Sequence, residues 1–439
     1  MKFSVSLMLM LPLLALGRVP LSKPEEDGEI WAVLVAGTEE WDEYRHQADI
    51  CHAYQILSAN GVPDDHIVVM MFDNIADNIV NPFPGQIFNH PTGDDVYPGV
   101  PKDYNGHDVT KENLFKVLRG DAKGLEGIGS GKVINSGPND RIFISMEGFG
   151  DNGIFFFPYE IMMANEFADV VLEMKENNRF KEMMVYMDSS CSATMFQDLY
   201  PDDIGFYALS AANADEVTYA AYCVDGPFFN CYGEQFAVSW MEDVDSKDPS
   251  TELLKENFEI TKELTYLSEV TQWGQISVEN ENVAAFMGSK RSYVSPARNY
   301  STEEHKASAR PSQDVPLINL QNRLRAARTP EEKTHLSSEI RTLKNKRSMI
   351  KNVMERIVLK VSGDERLAHD LMTKKQEKIT AWNCYGEAAN AFHKNCYALG
   401  KNTAGTTIVS ALLNMCEAGY KADDIVGATK NVCVFPTLQ

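Results

Sequence analysis

IFISMEGFG at residues 142–150 and MMVYMDSSCSATM at residues 183–195 have the same layout: a short apolar run breaks abruptly into small and polar residues. In an α/β sheet such breaks fall at the carboxyl edge, where functional groups are usually mounted. The two emerging positions hold Phe149 and Ser190. A serine or cysteine nucleophile needs a base within hydrogen-bond reach, because the neutral hydroxyl or thiol attacks poorly. The nine histidines lie at 46, 52, 66, 90, 107, 305, 335, 369 and 393, so neither strand end supplies one. Cys191 is a candidate thiol, although its side chain is expected to point away from that of Ser190. His46 is the candidate base, reaching in from the loop after the first strand.

Outward from these two runs the pattern repeats. IWAVLVAG (30–37), HIVVMMF (66–72), RIFIS (141–145), MMVYM (183–187) and GFYALSA (205–211) are apolar on both faces, as strands of a covered parallel sheet are. RHQADICHAYQILSANG between the first two has helical periodicity and stops at Gly61, and Thr110 caps a helix over KENLFKVL. The Pro- and Gly-rich loop from NPFPG to KDYNG is long enough to suggest a functional role. Residues 288–320 are polar and without periodicity. Thr329-Pro-Glu-Glu then starts a long helix with a capping box, an apolar stripe (Leu336, Ile340, Leu343, Ile350, Val353, Ile357) and an end near Gly363. The expected class is α/β, with an all-α tail of about 100 residues.

Residues 1–17 carry Lys2, an apolar run and Ala15-Leu16-Gly17, the layout of a secretory signal, and no later run is long enough to span a membrane. The formal net charge of −22 argues against a nucleic-acid partner. Residues 321–380 run the other way, with 15 Lys/Arg against 8 Asp/Glu, leaving −29 on the remainder. A basic segment on an acidic body implies electrostatic docking that weakens as carboxylates protonate. A basic helix surface that is merely solvated explains the same count. Four of the eight cysteines, Cys384, Cys396, Cys416 and Cys433, lie in the tail and read as a disulfide framework. Cys223 and Cys231 are placed to close a short loop, and Cys51 reads as core. Asn299 is the single Asn-x-Ser/Thr acceptor. Zinc-type His or Cys spacing, phosphate-binding loops and dinucleotide fingerprints are all absent, so neither a metal nor a cofactor is expected. Arg119-Gly120-Asp121 reads either as an adhesion tripeptide or, more simply, as a charged helix end entering a turn.

The segments VLVAGTEEW, YRHQADICHAYQIL, NPFPG, YPGVPKDYNG, LRGDAKG, IGSGKV, SGPNDRIFI, SWMEDVD and DVPL occur in order from residue 30 to 317. In these the chain resembles the legumains, the asparaginyl endopeptidases of the caspase-like clan. The resemblance implies a caspase-like, mostly parallel sheet flanked by helices over 28–287, a linker or activation region at 288–328, and a helical disulfide-bonded prodomain at 329–439. It implies the pairings Cys384–Cys416 and Cys396–Cys433, a prodomain docked on the core, and a secreted or lysosomal/vacuolar destination.

Carried over by position, the legumain catalytic His falls on Phe149 and the Cys on Ser190, with Cys191 one place late. The Asn that helps orient the His falls on Glu43. Gly150 keeps the backbone N–H of an oxyanion hole. The residues that surround a substrate Asn correspond to Arg45 and His46, which are retained, to Asp188 and Glu234, one shorter and one longer than the family's carboxylates, and to Thr218, where the family has Ser. The position of the family's self-cleavage Asn is Arg328, and no Asn lies between Asn322 and Asn345. These substitutions imply an inactive homologue that binds Asn-containing peptides or cysteine-protease partners. Two alternatives stand beside it: a divergent endopeptidase using Cys191 with His46, and a non-enzymatic binding or decoy protein. Whether the chain is an enzyme is open at this point.

Overall fold

The computed structural model describes residues 28–226, 228–289, 308–376, 378–401 and 408–434. The signal-like segment 1–17 and Asn299 lie outside them.

The five apolar runs become five parallel strands: β1 (Ile30–Ala36), β2 (Ile67–Met70), β3 (Arg141–Glu147), β7 (Glu182–Asp188) and β8 (Phe206–Ser210). Their order is β8-β7-β3-β1-β2, and a short strand β11 (Thr271–Gly274) is added antiparallel on the β8 edge. Alternate side chains feed two separate cores. Leu34, Phe143, Met184 and Tyr186 face one, and Val33, Ile144, Val185 and Met187 face the other. That two-sided burial is why these strands read as continuous apolar runs. β11 escaped the sequence reading because its residues are only half-buried at an edge.

The register sets Ala36, Glu147 and Asp188 side by side, so three strands end together at one carboxyl edge. Helix α1 (Tyr44–Ala59) starts just beyond β1 and carries Arg45 and His46 in its first turn, over that edge. α2 (Lys111–Arg119) has the expected cap, Thr110 accepting from the Asn113 N–H, and α3 (Ala164–Glu176) packs beside it. Two small sheets frame the edge. One is the antiparallel set β4 (Gly150–Asp151), β5 (Ile154–Phe156) and β6 (Ile161–Met163). The other has β9 (Tyr219–Cys223) between β10 (Cys231–Glu234) and β12 (Arg310–Pro311). The Cys223–Cys231 disulfide joins directly paired residues of β9 and β10. Helices α4 (Gln235–Ser246), α5 (Leu254–Leu264) and α6 (Ala284–Met287) complete this part of the chain.

Within the polar stretch expected as linker, residues 310–326 are ordered as β12 and helix α7 (Val315–Ala326). α8 (Pro330–Ser362) begins and ends as its caps foretell, with Thr329 accepting from the Glu332 N–H and Gly363 left-handed at φ 70°. Leu336 is buried near its start, and toward the C-terminus Met354 and Val358 join Ile350 and Ile357 in the core of the tail. Ile340 and Leu343, farther from the bundle, stay half-buried. α9 (Glu365–Thr373), α10 (Trp382–Asn395), α11 (Ser410–Glu417) and α12 (Ala422–Val432) follow, tied by Cys384–Cys416 and Cys396–Cys433. No helix among the described residues is long and apolar enough to cross a membrane.

This helical tail sits on the β4–β6 sheet. Phe149, Ile154, Phe156, Ile161 and Met163 share one apolar cluster with α8, α10, α11 and α12. Polar contacts ring it: Tyr385 Oη donates to the Asn152 carbonyl at 2.9 Å, and the Ser410 N–H donates to Asp151 Oδ2 at 3.2 Å. Lys378 and Lys401 reach the core carboxylates Asp198 and Glu39, and Lys375 pairs with Asp215. These pairs put contacts behind the charge asymmetry seen in the sequence.

Candidate functional site

Two groups of residues meet at the carboxyl edge, and they differ in kind. At the first, Phe149 is 2% exposed and belongs to the apolar cluster under the helical tail. Its ring lies 5.6 Å from the Arg45 guanidinium carbon and meets His46 edge-on at 5.2 Å. Phe149 therefore roofs its polar neighbours and has no proton to exchange. Next to it Gly150 admits no side chain: a Cβ there would fall 2.7 Å from Ser189 Oγ and 2.8 Å from the Ser190 carbonyl. Ser190 is nearly buried, and its Oγ accepts the Thr218 N–H at 3.2 Å.

Cys191 is half-buried and left-handed, at φ 57°, a conformation that costs a non-glycine residue. Its Sγ lies 3.7 Å from the Glu216 carbonyl and 3.9 Å from Asn152 Nδ2. Burial pushes this thiol well above its usual range, and Asp151, Asp215 and Glu216 push it further. A thiolate there is disfavoured, the opposite of what a nucleophile needs. Gly150, Ser190 and Cys191 border a half-open cavity of about 230 Å³ that is also lined by Lys374, Lys375, Ser410 and Asn414 of the tail.

The second group surrounds Glu234, at the end of β10. Arg45, His46 and Glu234 are each 0% exposed. Glu234 Oε1 accepts from Arg45 Nε at 2.5 Å and from His46 Nε2 at 2.9 Å. Arg45 Nη1 contacts Glu43 Oε2 at 3.0 Å and donates to the Asp42 carbonyl, while Nη2 donates to the Ser312 carbonyl at 3.2 Å. Burial alone would keep Glu234 protonated, but Arg45 and His46 bring it down to about 2. An ionised Glu234 requires His46 to donate from Nε2, so Nδ1 accepts from the Thr38 hydroxyl at 2.8 Å. Burial, and then Arg45, depress His46 to about 4, leaving it neutral at pH 7.

His46 thus spends both nitrogens on Thr38 and Glu234, and neither Ser190 nor Cys191 is among its partners. The geometry does not bring together the expected Cys191–His46 pair. Glu43, which the resemblance places at an orienting Asn, pairs with Arg45. Burial raises Glu43 to about 7 despite Arg45 beside it.

Behind Glu234 lies a carboxylate stack that the sequence reading only partly anticipated. Asp188 Oδ2 accepts the Ala237 N–H at the start of α4, whereas its Oδ1 is buried without a partner. Asp49 Oδ2 accepts the Glu234 N–H, and Glu147 stands beside Asp188 in the strand register. Burial drives Asp188 and Glu147 well above the usual carboxylate range, with neighbouring carboxylates adding to it. Glu147 sits in one opening run and Asp49 in RHQADICHAYQIL, so both were visible as carboxylates but not as neighbours. Ser312 was missed altogether. It enters from the linker, donating Oγ–H to Glu234 Oε2 at 2.5 Å and its N–H to the Thr218 carbonyl. No local signal in a polar linker distinguishes such a serine.

Arg119-Gly120-Asp121 is a helix end. Arg119 pairs with Glu173 at 2.7 Å, left-handed Gly120 terminates α2, and Asp121 accepts the Gly124 N–H. Among the described residues no group of His, Cys, Asp and Glu is arranged to hold a metal ion.

The comparisons with known proteins agree with this organisation. Residues 30–289 match the Peptidase C13 family, and residues 338–433 match the legumain prodomain. The chain is 38% identical to the legumain of Homo sapiens over 423 residues, 96% of each chain. It is 34% identical to the legumain of Canavalia ensiformis, over 93% of this chain and 89% of that one. A solved caspase-1 from Spodoptera frugiperda overlaps 61% of this chain and 92% of that chain with a TM-score of 0.34 and 8% identity, a likeness too weak to build on. The chain is a member of the Peptidase C13 (legumain) family, complete with a legumain prodomain.

Proposed function

We propose that this legumain-family chain does not cleave peptides. The observation that carries the reading is Phe149: an apolar ring at the position of the catalytic His, 2% exposed and packed under the prodomain. Ser190 at the nucleophile position has a backbone N–H as its partner and no base. Losing one member of a catalytic unit already removes most of the rate, and further losses add little. The role left to such a protein is capture of Asn-containing peptides or of cysteine-protease partners by the legumain scaffold. Its route is secretory, on the evidence of residues 1–17, with a lysosomal, vacuolar or extracellular end point.

The divergent-enzyme reading rests on Cys191, the free thiol at the cavity. Its raised pKa and the engagement of His46 elsewhere weigh against it. An asparaginyl peptide bearing a thiol-reactive group separates the two. The purified chain is expected to stay unlabelled at Cys191 between pH 4 and 7. Labelling that disappears in His46→Gln would overturn the proposal.

A further inference from the structure

The long Pro- and Gly-rich loop after β2 takes no part in the site, yet it is fastened along one side of α1. Tyr44 Oη donates to the Phe88 carbonyl at 3.0 Å and accepts the Phe88 N–H at 2.6 Å. Farther along the helix, Gln55 Nε2 donates to the carbonyls of Val96 at 2.7 Å and Pro98 at 2.8 Å. Between them His52 Nδ1 meets Asn89 Oδ1 at 2.8 Å, and its Nε2 meets Asp245 Oδ2, near the end of α4, at 2.9 Å. Of these three helix side chains, only an imidazole ordinarily changes charge between pH 5 and 8.

The protonation of His52 follows from its partners. Asn89 is 4% exposed, and its amide cannot be turned over: Nδ2 donates to the Tyr232 carbonyl at 2.9 Å, and a carbonyl can only accept. The same nitrogen donates to Asp49 Oδ1 at 2.7 Å. Asn89 therefore presents its oxygen to His52, which must answer with Nδ1–H. Asp245 calls for Nε2–H at the other end of the ring. Both nitrogens donate at once only in the imidazolium. The charged groups around the ring are carboxylates, Asp49 one turn back on α1 and Asp245 and Glu242 on α4. Beyond Asn89 stands His90, edge-on to Tyr222 at 4.5 Å; Tyr222 of β9 donates to Glu242, and Tyr232 of β10 completes the surroundings. Burial opposes the charge on His52, but Asp245, Asn89 and then Glu242 carry it above the ordinary 6.5. Its side chain is 16% exposed, so solvent can still exchange the proton.

We propose that His52 is a proton-operated latch: as an imidazolium it ties the loop at Asn89 to α4 at Asp245, and as a neutral imidazole it must let one of them go. The latched form binds the proton more tightly than the released form. The latch is therefore complete below about pH 6.5 and is lost as pH rises through the higher folded value. The contacts of Tyr44 and Gln55, which do not titrate in this range, remain and keep the loop on α1. Along the proposed secretory route the loop is fastened at an acidic lysosomal or vacuolar end point and loosened at a neutral extracellular one. The latch involves none of Phe149, Ser190 and Cys191. Its failure therefore leaves the proposed inactivity standing, and detected cleavage would not by itself remove the latch.

Two measurements on the intact chain test the latch. The first is a pH titration of the histidine ring resonances, with His52 assigned by its absence from His52→Gln. Its midpoint should lie above 6.5, with both ring nitrogens protonated below it; a midpoint at or below 6.5 overturns the proposal. The second is hydrogen exchange at the Phe88 and Val96 amides, which are bonded to Tyr44 Oη and the Ile87 carbonyl and so read the loop. After correction for intrinsic chemistry, opening should rise roughly threefold or more between about pH 5.5 and 8, since each unit by which the latched form holds its proton more tightly is worth tenfold. In His52→Gln, which has no such proton to lose, that rise should vanish. An equal rise in both proteins overturns the proposal. Should His52→Gln fail to fold, Asp245→Asn keeps the imidazole and removes its carboxylate partner. The midpoint should then fall, and the loop transition should move down with it. A midpoint that does not move, or a loop transition that stays in place while the midpoint moves, overturns the proposal.

Discussion

The catalytic edge around Phe149 and Ser190 and the pocket around Arg45 and Glu234 lie in contact, yet they are held by different physics. Phe149 is held by apolar packing shared with the prodomain, and the hydroxyl of Ser190 does little beyond accepting one N–H. The pocket is held by charge, with one buried arginine and one buried carboxylate each satisfied by several partners. On the proposed reading, packing stands at the edge where groups that move protons would be needed, whereas the pocket keeps its charges and Glu234 spends its reach on neighbours in the same chain. The proposed inactivity is compatible with a retained ion cluster, because removing a buried charge is costly in a way that removing a nucleophile is not.

That contrast predicts the largest effect at the pocket. Glu234→Gln leaves the Arg45 guanidinium buried beside a neutral amide and should destabilise the chain by about 3–5 kcal/mol in denaturant unfolding. A loss below about 1 kcal/mol would mean that the ion cluster is not what secures the pocket.

The next effect is a pH slope. His46 has its folded pKa lowered to about 4 by burial and Arg45. Below the ordinary histidine value the unfolded chain takes up a proton that the folded chain refuses. Stability contributed by neutral His46 is therefore present above about pH 6.5 and lost as pH falls toward 4, by on the order of 3 kcal/mol. His46→Gln should remove this component from a titration of unfolding free energy. An unchanged slope would show that His46 is not held neutral.

Asp151, at the edge, should behave with the opposite sign. Burial raises it to about 6, against hydrogen bonds from Asn152 and the start of α11. The folded chain binds this proton more readily than the unfolded one, so its contribution is present below about pH 4 and lost as pH rises through 6. The size is about 3 kcal/mol. Asp151→Asn should flatten the dependence in that window. Protonation thus relieves the buried charge of Asp151 while weakening the hydrogen bonds it accepts from Asn152 and Ser410, beside the lysine–carboxylate pairs of the same contact. The smallest effect belongs to those pairs: Lys378→Ala, breaking a half-exposed ion pair with Asp198, should cost less than about 1 kcal/mol.

Much of this contrast was legible in the sequence. The five parallel strands were, because both their faces are buried and the apolar run is unbroken. The long helix was, through Thr329, Pro330 and Gly363. Phe149 and Ser190 could be located because the runs ending at them are long and clean. The pocket was legible as a set of residue types but not as a closed cluster. Ser312 lies 78 residues beyond Glu234 in chain order. Its surroundings are polar, and only the β9–β12 pairing brings it in. β11 and β12 are short edge strands whose residues carry no alternation to detect. The conflict between Cys191 and His46 was likewise invisible, since it depends on which partners the imidazole has already taken.

The central claim is that the edge is chemically empty, and turnover tests it most directly. The purified chain, incubated with an asparaginyl peptide substrate between pH 4 and 7, is expected to release no more product than the Ser190→Ala, Cys191→Ala double variant. Cleavage after Asn by the unmodified chain, abolished in that variant, would contradict the account.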